Sequence, residues 1–265
     1  MMTTEDLQVV TPSVFAESPI PQVTARYTFI PTSKLLDDFA KLGWMVEAAK
    51  QQKSHKDKIH TKHILHLRNP MFPAFKGIMP ELVIVNAHDR TSAFRFLIGL
   101  HVFACLNGVI TAEQMFENLR VRHIDYKFED LRALTQQIID GMPKVIGTVN
   151  KMQTIQLKPE QQTELAIKAI AARFKEYVNK DKSLNTAAIT KAIDLKTFLA
   201  PVRFEDDNDS VWSVFNRVQE KLSKGGFKRI GTIDERAKLV RPITNIKLDI
   251  DVNQKLWQLA NSYAV

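Results

Sequence analysis

Two spacings of apolar residues divide the chain. Up to about Leu106 they come in short runs or alternate with polar residues, which is the period of a strand; from Phe128 onward they recur at three and four, which is the period of a helix. In the first half, Arg26 to Ile30, Trp44 to Gln51 and Ile64 to Arg68 read as strands, and Leu82 to Val85 as a buried strand. Ala93 to Leu106 is apolar at nearly every position; interior Gly99 would weaken a helix there, so strands are expected, with Asn107-Gly108 as a hairpin-type turn. One short amphipathic helix interrupts this region: Leu35, Leu36, Phe39 and Leu42 share a face, Thr32 or Ser33 caps its start and Gly43 stops it. Glu113 to Asn118 reads as a short helix and Leu119 to His123 as a further strand.

In the second half, Phe128, Leu131, Thr135, Ile138, Met142, Val145 and Val149 mark a long helix containing Pro143. Pro159 suits a first helical position, and Ala166, Ile170, Phe174 and Tyr177 mark the face that follows. Asn185 to Leu199 is expected as one helix. Ser210 caps another, with Val211, Phe215, Val218 and Leu222 as its core face and Gly225-Gly226 as its end; Leu256, Trp257 and Ala260 belong to a last one. The expected class is α+β: an antiparallel sheet core flanked by helices, with a mostly helical C-terminal half. Pro12, Pro19 and Pro21 make residues 1–25 a flexible arm, ahead of an α+β core over 26–150 and a helical region over 151–265 that packs back on it.

Charge adds a location to this outline. The 265 residues carry a net charge of +8, and the surplus is local. Lys41 to Lys76 holds eight cations against Glu47 and Asp57, and Arg217 to Arg241 holds eight against Glu220, Asp234 and Glu235. Two solvated surfaces and a nucleic-acid footprint both explain such segments. The run KSHKDKIHTK is too polar to be anything but an exposed connection, and it is the most basic point of the chain.

Candidate chemistry is sparse. All seven histidines lie between His55 and His123, and a metal or acid–base group could be drawn from His88-Asp89 with His63, His101 or His123. On a strand, however, His60 and His66 face one way and His63 the other. The plainer reading has Asn86, His88 and Asp89 bonding to the backbone of a tight turn. Glu205, Asp206, Asp207 and Asp209 match no calcium-loop spacing and suit a charged linker. Cys105, the single cysteine, lies in an apolar run where a thiol is inert, and no phosphate-binding glycine loop is present. No catalytic residue, metal or cofactor is therefore expected. The absence of a membrane-length apolar run and of a basic leader leads to the expectation of a soluble protein in a reducing cytoplasm.

Four segments together carry a family resemblance: KHILHLRNP (Lys62 to Pro70), PELVIVNAHDRTSAFRFLIGLHVFACLNG (Pro80 to Gly108), VRH (Val121 to His123) and WSVFNRVQEKLSKGG (Trp212 to Gly226). They resemble the phage and plasmid family catalogued as domain of unknown function 932. On that resemblance Asn86, His88, Asp89, Asn107, Gly108, Trp212, Asn216 and Glu220 are motif positions. Ala87 and Arg90 depart from the family's serine and glycine, and Leu100-His101 replaces an arginine-containing pattern. The resemblance implies a mobile-element protein working inside a bacterial host cell.

With that context, the functional expectation is non-specific binding of single-stranded DNA, with oligomeric annealing or recombination as the role it would serve. Lys50, Lys53, Lys56, Lys58, Lys62 and Arg68, with Lys224, Lys228 and Arg229, would meet phosphates, and Phe72, Phe75 or Trp44 would offer stacking surfaces. The alternatives are an interaction protein that blocks a host defence factor and a metal-dependent nucleic-acid enzyme. The partners so implied are nucleic acid, a second copy of the chain or a host protein, and no membrane.

Overall fold

Alternation in the first half produces a five-stranded antiparallel sheet in the simple order β1-β2-β3-β4-β5. The strands are β1 (Met45–Gln51), β2 (His63–Arg68), β3 (Ile78–Asn86), β4 (Arg95–Val102) and β5 (Asn107–Ile110). The computed structural model describes residues 1–21, 29–54, 57–72, 74, 77–89, 94–102, 107–110, 128–231 and 236–264. The chain divides into two compact units, Met1–Pro143 and Lys144–Val265.

In the N-terminal unit, pairing fixes which residues share a face. Val46 lies opposite Leu67, Leu65 and Leu67 opposite Ile84 and Leu82, and these opposite Phe96 and Ile98, so one face is apolar along its whole width. Helix α2 (Thr32–Lys41) meets this face through Phe39, whose ring stands edge-on to Phe96 at 5.8 Å. The other face carries His66 opposite Val83 and Glu81 opposite Gly99. A register shift between Val46 and Ala48 bulges β1 at Glu47.

The N-terminal residues, expected as a flexible arm, are instead folded against β1. A capping box between Thr3 and Asp6 starts α1 (Thr4–Val10), and Pro12 opens a 3₁₀ turn over Pro12–Phe15. The Met2 amide donates to the Val46 carbonyl at 2.8 Å, and the Ser13 amide to Gln51 Oε1 at 2.9 Å. The prolines punctuate this segment without freeing it, because Leu7, Ser13 and Val14 are buried.

Asn107-Gly108 also differs from expectation. These residues are not the turn but the start of β5, paired with Val102 and His101. Residues 103–106 lie outside the described residues; a short terminal strand tolerates Asn and Gly that a central one would not. Of the strand expected over Arg26 to Ile30, only Phe29 and Ile30 are described, and they lie in no strand. The elements expected over Glu113 to Asn118 and Leu119 to His123 lie outside the described residues.

The long helix is present as α3 (Phe128–Thr154), with Pro143 inside it where the two units divide. The C-terminal unit adds α4 (Pro159–Arg173), α5 (Thr186–Ala192), α6 (Leu195–Leu199), α7 (Val211–Lys224) and α8 (Ile246–Asn261). Val211, Phe215, Val218 and Leu222 of α7 are fully buried, and the Phe215 ring meets Trp257 of α8 edge-on at 6.0 Å. The single helix expected over Asn185 to Leu199 is two. Asp194 ends the first and caps the second, its carboxylate accepting from the Lys196 amide at 3.1 Å. An exposed ribbon of β6 (Lys228–Ile230) and β7 (Ala237–Leu239) gave no alternation to read, since neither strand buries a face.

Gly225 ends α7 at φ +74°, and a Cβ there would sit 2.3 Å from the Val240 carbonyl oxygen; Gly226, at φ +82°, has open space around it. Gly225→Ala is therefore expected to destabilise the fold by roughly 2–4 kcal/mol, through positive φ plus a backbone clash. Gly226→Ala should cost only about 1 kcal/mol, from φ alone. Urea unfolding of the two variants checks this ordering.

Candidate functional site

Strand β2 supplies polar side chains to both faces of the sheet, and each face builds a different cluster around them. His63 points to the helix-covered face and is completely buried. Its Nδ1 lies 2.8 Å from Ser13 Oγ and its Nε2 3.0 Å from Thr32 Oγ1. Thr32 Oγ1 also accepts from Asn86 Nδ2 at 3.0 Å and lies 3.3 Å from His88 Nε2. Burial, with His88 beside it, pushes the His63 imidazole down to about 3. This cluster is buried, and it ties the N-terminal segment, α2 and the end of β3 together. Asn86 also accepts from the Ala87 amide at 2.8 Å, and the His88 amide donates to the His60 carbonyl at 3.0 Å. Asp89 is half-buried beside them.

The opposite face holds a charged cluster centred on Glu81, which is only 1% exposed. His66 Nδ1 lies 2.9 Å from Oε2; Arg68 Nε and Nη2 both reach Oε1 at 2.9 Å; and His101 Nδ1 stands 3.7 Å from Oε1. Arg68 Nη1 extends to Glu47 at 3.3 Å. Burial alone would raise the Glu81 carboxyl, but the bonds and charges of His66 and Arg68 outweigh it and leave the group lowered. Burial lowers His101, against the pull of Glu81. An imidazole on a carboxylate suits proton transfer, but here Arg68 compensates the carboxylate as an ion pair. Sequence reading missed this centre, although the signal was there: a lone acid inside the apolar run PELVIV.

The described histidines do not gather at one point. His60 lies in the β1–β2 connection, bonded to Asp57 at 2.7 Å and to the Ser18 carbonyl at 3.0 Å, while His63 and His66 face opposite ways. Among the described residues, no group of three or more His, Cys, Asp or Glu is placed to hold a metal ion.

The lysines of the β1–β2 connection stand on a pinned loop. Gln52 donates from its amide to the Lys62 carbonyl at 2.8 Å, and Gln51 bridges Ser13 to the Lys58 carbonyl. The one acid of the connection, Asp57, keeps its side chain 41% exposed but is bound within the loop: Oδ1 accepts from the Ile59 and His60 amides at 2.8 and 3.0 Å, and Oδ2 meets the His60 ring. Lys53 and Lys58 are exposed, and Lys50 and Lys62 half-buried; Lys56 lies outside the described residues. Arg68 does not join them. It sits at the far end of β2, about 20 Å away by strand rise, and is held by Glu81 and Glu47. Of the proposed stacking rings, Trp44 is core and stacks on Phe72 at 5.7 Å, and Phe75 lies outside the described residues.

The remaining candidates belong to the C-terminal unit. Lys224 pairs with Glu220 at 3.2 Å, Arg229 pairs with Glu176 and lies 4.3 Å over the Phe174 ring, and Lys228 is exposed. Trp212 is buried and stacks on Phe215 at 5.4 Å. Asn216 Nδ2 donates to Asp206 Oδ1 at 3.1 Å, while Arg203 joins Asp206 to Glu220. Burial raises Asp206, against the bonds from Asn216 and Arg203. These motif positions thus fasten the acidic segment onto α7.

The chain belongs to the family described as Domain of unknown function (DUF932), whose pattern matches residues 19–257. It is similar to two proteins of Escherichia coli (strain K12), UPF0380 protein YafZ and UPF0380 protein YfjQ. Each is 31% identical over 270 residues, covering 98% of this chain and 91% of the relative. No solved structure matches. Among the described residues, no helix is long and apolar enough to cross a membrane.

His63 gives the fold a pH dependence of definite sign. Its folded value of about 3 lies below the 6.5 of an unfolded histidine, so the unfolded chain binds the proton first. The contribution is complete above pH 6.5 and is lost as pH falls from there toward 3, at roughly 1.4 kcal/mol per pH unit. Unfolding free energies of the wild type and His63→Phe across this range should differ in slope by about one proton. Parallel slopes would show that His63 is not buried neutral.

Proposed function

We propose that this member of the family binds single-stranded DNA without sequence preference, gripping its phosphates with the β1–β2 connection. The observation that carries the reading is a loop whose cations outnumber its one acid and whose base is fixed. Lys53 and Lys58 stand exposed and Lys62 half-buried on a loop held at Gln51 and Gln52, with Asp57 bound to the loop's own amides and His60. Cations held in place meet phosphates with less loss of side-chain and loop freedom than cations on a loose tether. The connection contains no Phe, Tyr or Trp, which favours backbone binding over base readout. A single strand can adapt its phosphate spacing to a few fixed lysines; a duplex presents rigid spacing.

Self-association of the chain would multiply this small site along one strand and raise its avidity. We assign that binding to annealing or recombination of mobile-element DNA inside a bacterial cell. Lys228, on the exposed β6, is a second contact in this reading; Lys224 and Arg229, being paired, contribute less.

Fluorescence anisotropy with a labelled oligonucleotide, titrated with salt, tests the proposal. The Lys53→Ala/Lys58→Ala/Lys62→Ala variant should bind roughly 30- to 100-fold more weakly at low salt and lose about 2 from the slope of log K against log salt. Arg68→Ala should leave the slope unchanged. Wild-type binding that is weak and indifferent to salt would sink the idea.

A further inference from the structure

The C-terminal unit contains a cavity of ≈ 490 Å³ whose character differs from its surroundings. Ala171, Ala172, Val178 and Leu184 give its lining an apolar part, and lysines give it a basic one. Lys168 comes from α4, Lys175 from the 3₁₀ turn Lys175–Tyr177 that follows, Lys182 from the next turn and Lys255 from α8. Lysines from four separate elements thus line one open space, together with the single acid Asp251. Lys168 is shared with Glu164 at 2.5 Å. No carboxylate pairs with Lys175, Lys182 or Lys255 among the described residues.

The backbone at Lys182 adds an independent observation. At φ 67° it is the one non-glycine residue with positive φ among those described, a conformation that costs an L-residue about 1–2 kcal/mol. The turn is held from both sides: Asn179 donates to the Ser183 carbonyl, Lys182 to the Asn179 carbonyl, and the Asp181 carboxylate takes the Ser183 amide and hydroxyl at 3.0 and 2.6 Å. Glycine or asparagine would sit there at lower cost, and lysine adds no structural bond. What it adds is a cation in the cavity lining. Helix-end electrostatics suit Lys175, just beyond the C-terminus of α4, and the pair with Glu164 accounts for Lys168, but neither covers Lys182 or Lys255.

We infer that this cavity binds a small ligand carrying a diphosphate group. Several lysines lining one space match the multiple charges of a diphosphate better than the one charge of a carboxylate. Gln254 and Gln258, one turn apart on the same helix, supply neutral donors in the lining. The volume lies in the range of small-molecule sites and leaves the apolar part to an organic moiety. The inference is independent of the DNA-binding reading, because the two share no residue.

Titration calorimetry on the full chain at low salt, with pyrophosphate and with ADP as separate probes, tests it. Saturable binding of one equivalent of either is expected. Lys182→Ala/Lys255→Ala should weaken it by about tenfold or more, while Lys182→Arg/Lys255→Arg stays within about threefold, since charge rather than length is needed. Tighter binding of ADP would assign a nucleotide, and tighter binding of pyrophosphate a free diphosphate; both uphold the site. The Lys53→Ala/Lys58→Ala/Lys62→Ala variant should bind both probes as the wild type does. No saturation with either probe overturns the inference, and so does undiminished binding by the double alanine variant or loss of binding in the triple variant.

Discussion

Keeping the Glu81 carboxylate charged inside the sheet is the constraint on which the N-terminal unit depends. Removing a carboxylate from water costs several kcal/mol even after relaxation, and here the compensation comes from Arg68 and His66 on β2, with His101 of β4 3.7 Å away and Arg68 reaching on to Glu47 of β1. The apolar residues cannot set the register alone. Leu82, Val83, Ile84 and Val85 are all buried, so β3 would satisfy the hydrophobic effect equally well turned over. A slip of one residue moves every side chain to the opposite face and would leave Glu81 among leucines. The ion cluster therefore contributes specificity rather than net stability, and the bulge at Glu47 brings the edge strand into it.

Register in turn sets where the β1–β2 connection leaves the sheet. The last pair is Gln51 with His63, and the bond from Gln52 to Lys62 closes the base of the loop just beyond it. From there Gln51, Asp57 and His60 hold the loop down through bonds to Ser13, to the loop's own amides and to Ser18. The buried His63 cluster binds the same N-terminal segment from below. The lysines inherit their positions from these polar contacts, which is why a short basic loop can act as a fixed surface.

Much of this was legible in the sequence. Alternation found β2, a continuous aliphatic run the core of β3 and the interior Gly99 the strand character of β4; period 3.6 found α2, α3, α4, α7 and α8, and Ser210 and Gly225 marked the ends of α7. The failures have separate physical causes. Prolines at 12, 19 and 21 suggested a loose arm, because the bonds that seat Ser13 reach partners 38 and 50 residues away. Asn107-Gly108 has turn propensity, but the ladder to β4 claims both residues. Asp194 divides one expected helix by offering its carboxylate as a cap. Arg68 looked like a phosphate ligand because strand spacing does not reveal that Glu81, thirteen residues on, faces it. The lysine cavity of the C-terminal unit has no signature along the chain, as its four cations come from different elements.

The proposed DNA surface is the pinned connection between β1 and β2, and hydrogen–deuterium exchange with and without a saturating single-stranded oligonucleotide reads it out. Added protection is expected over residues 52–62, with the strands β2 and β3 already slow to exchange and little changed. Protection confined to other segments, with the connection exchanging as in the free protein, would rule that surface out.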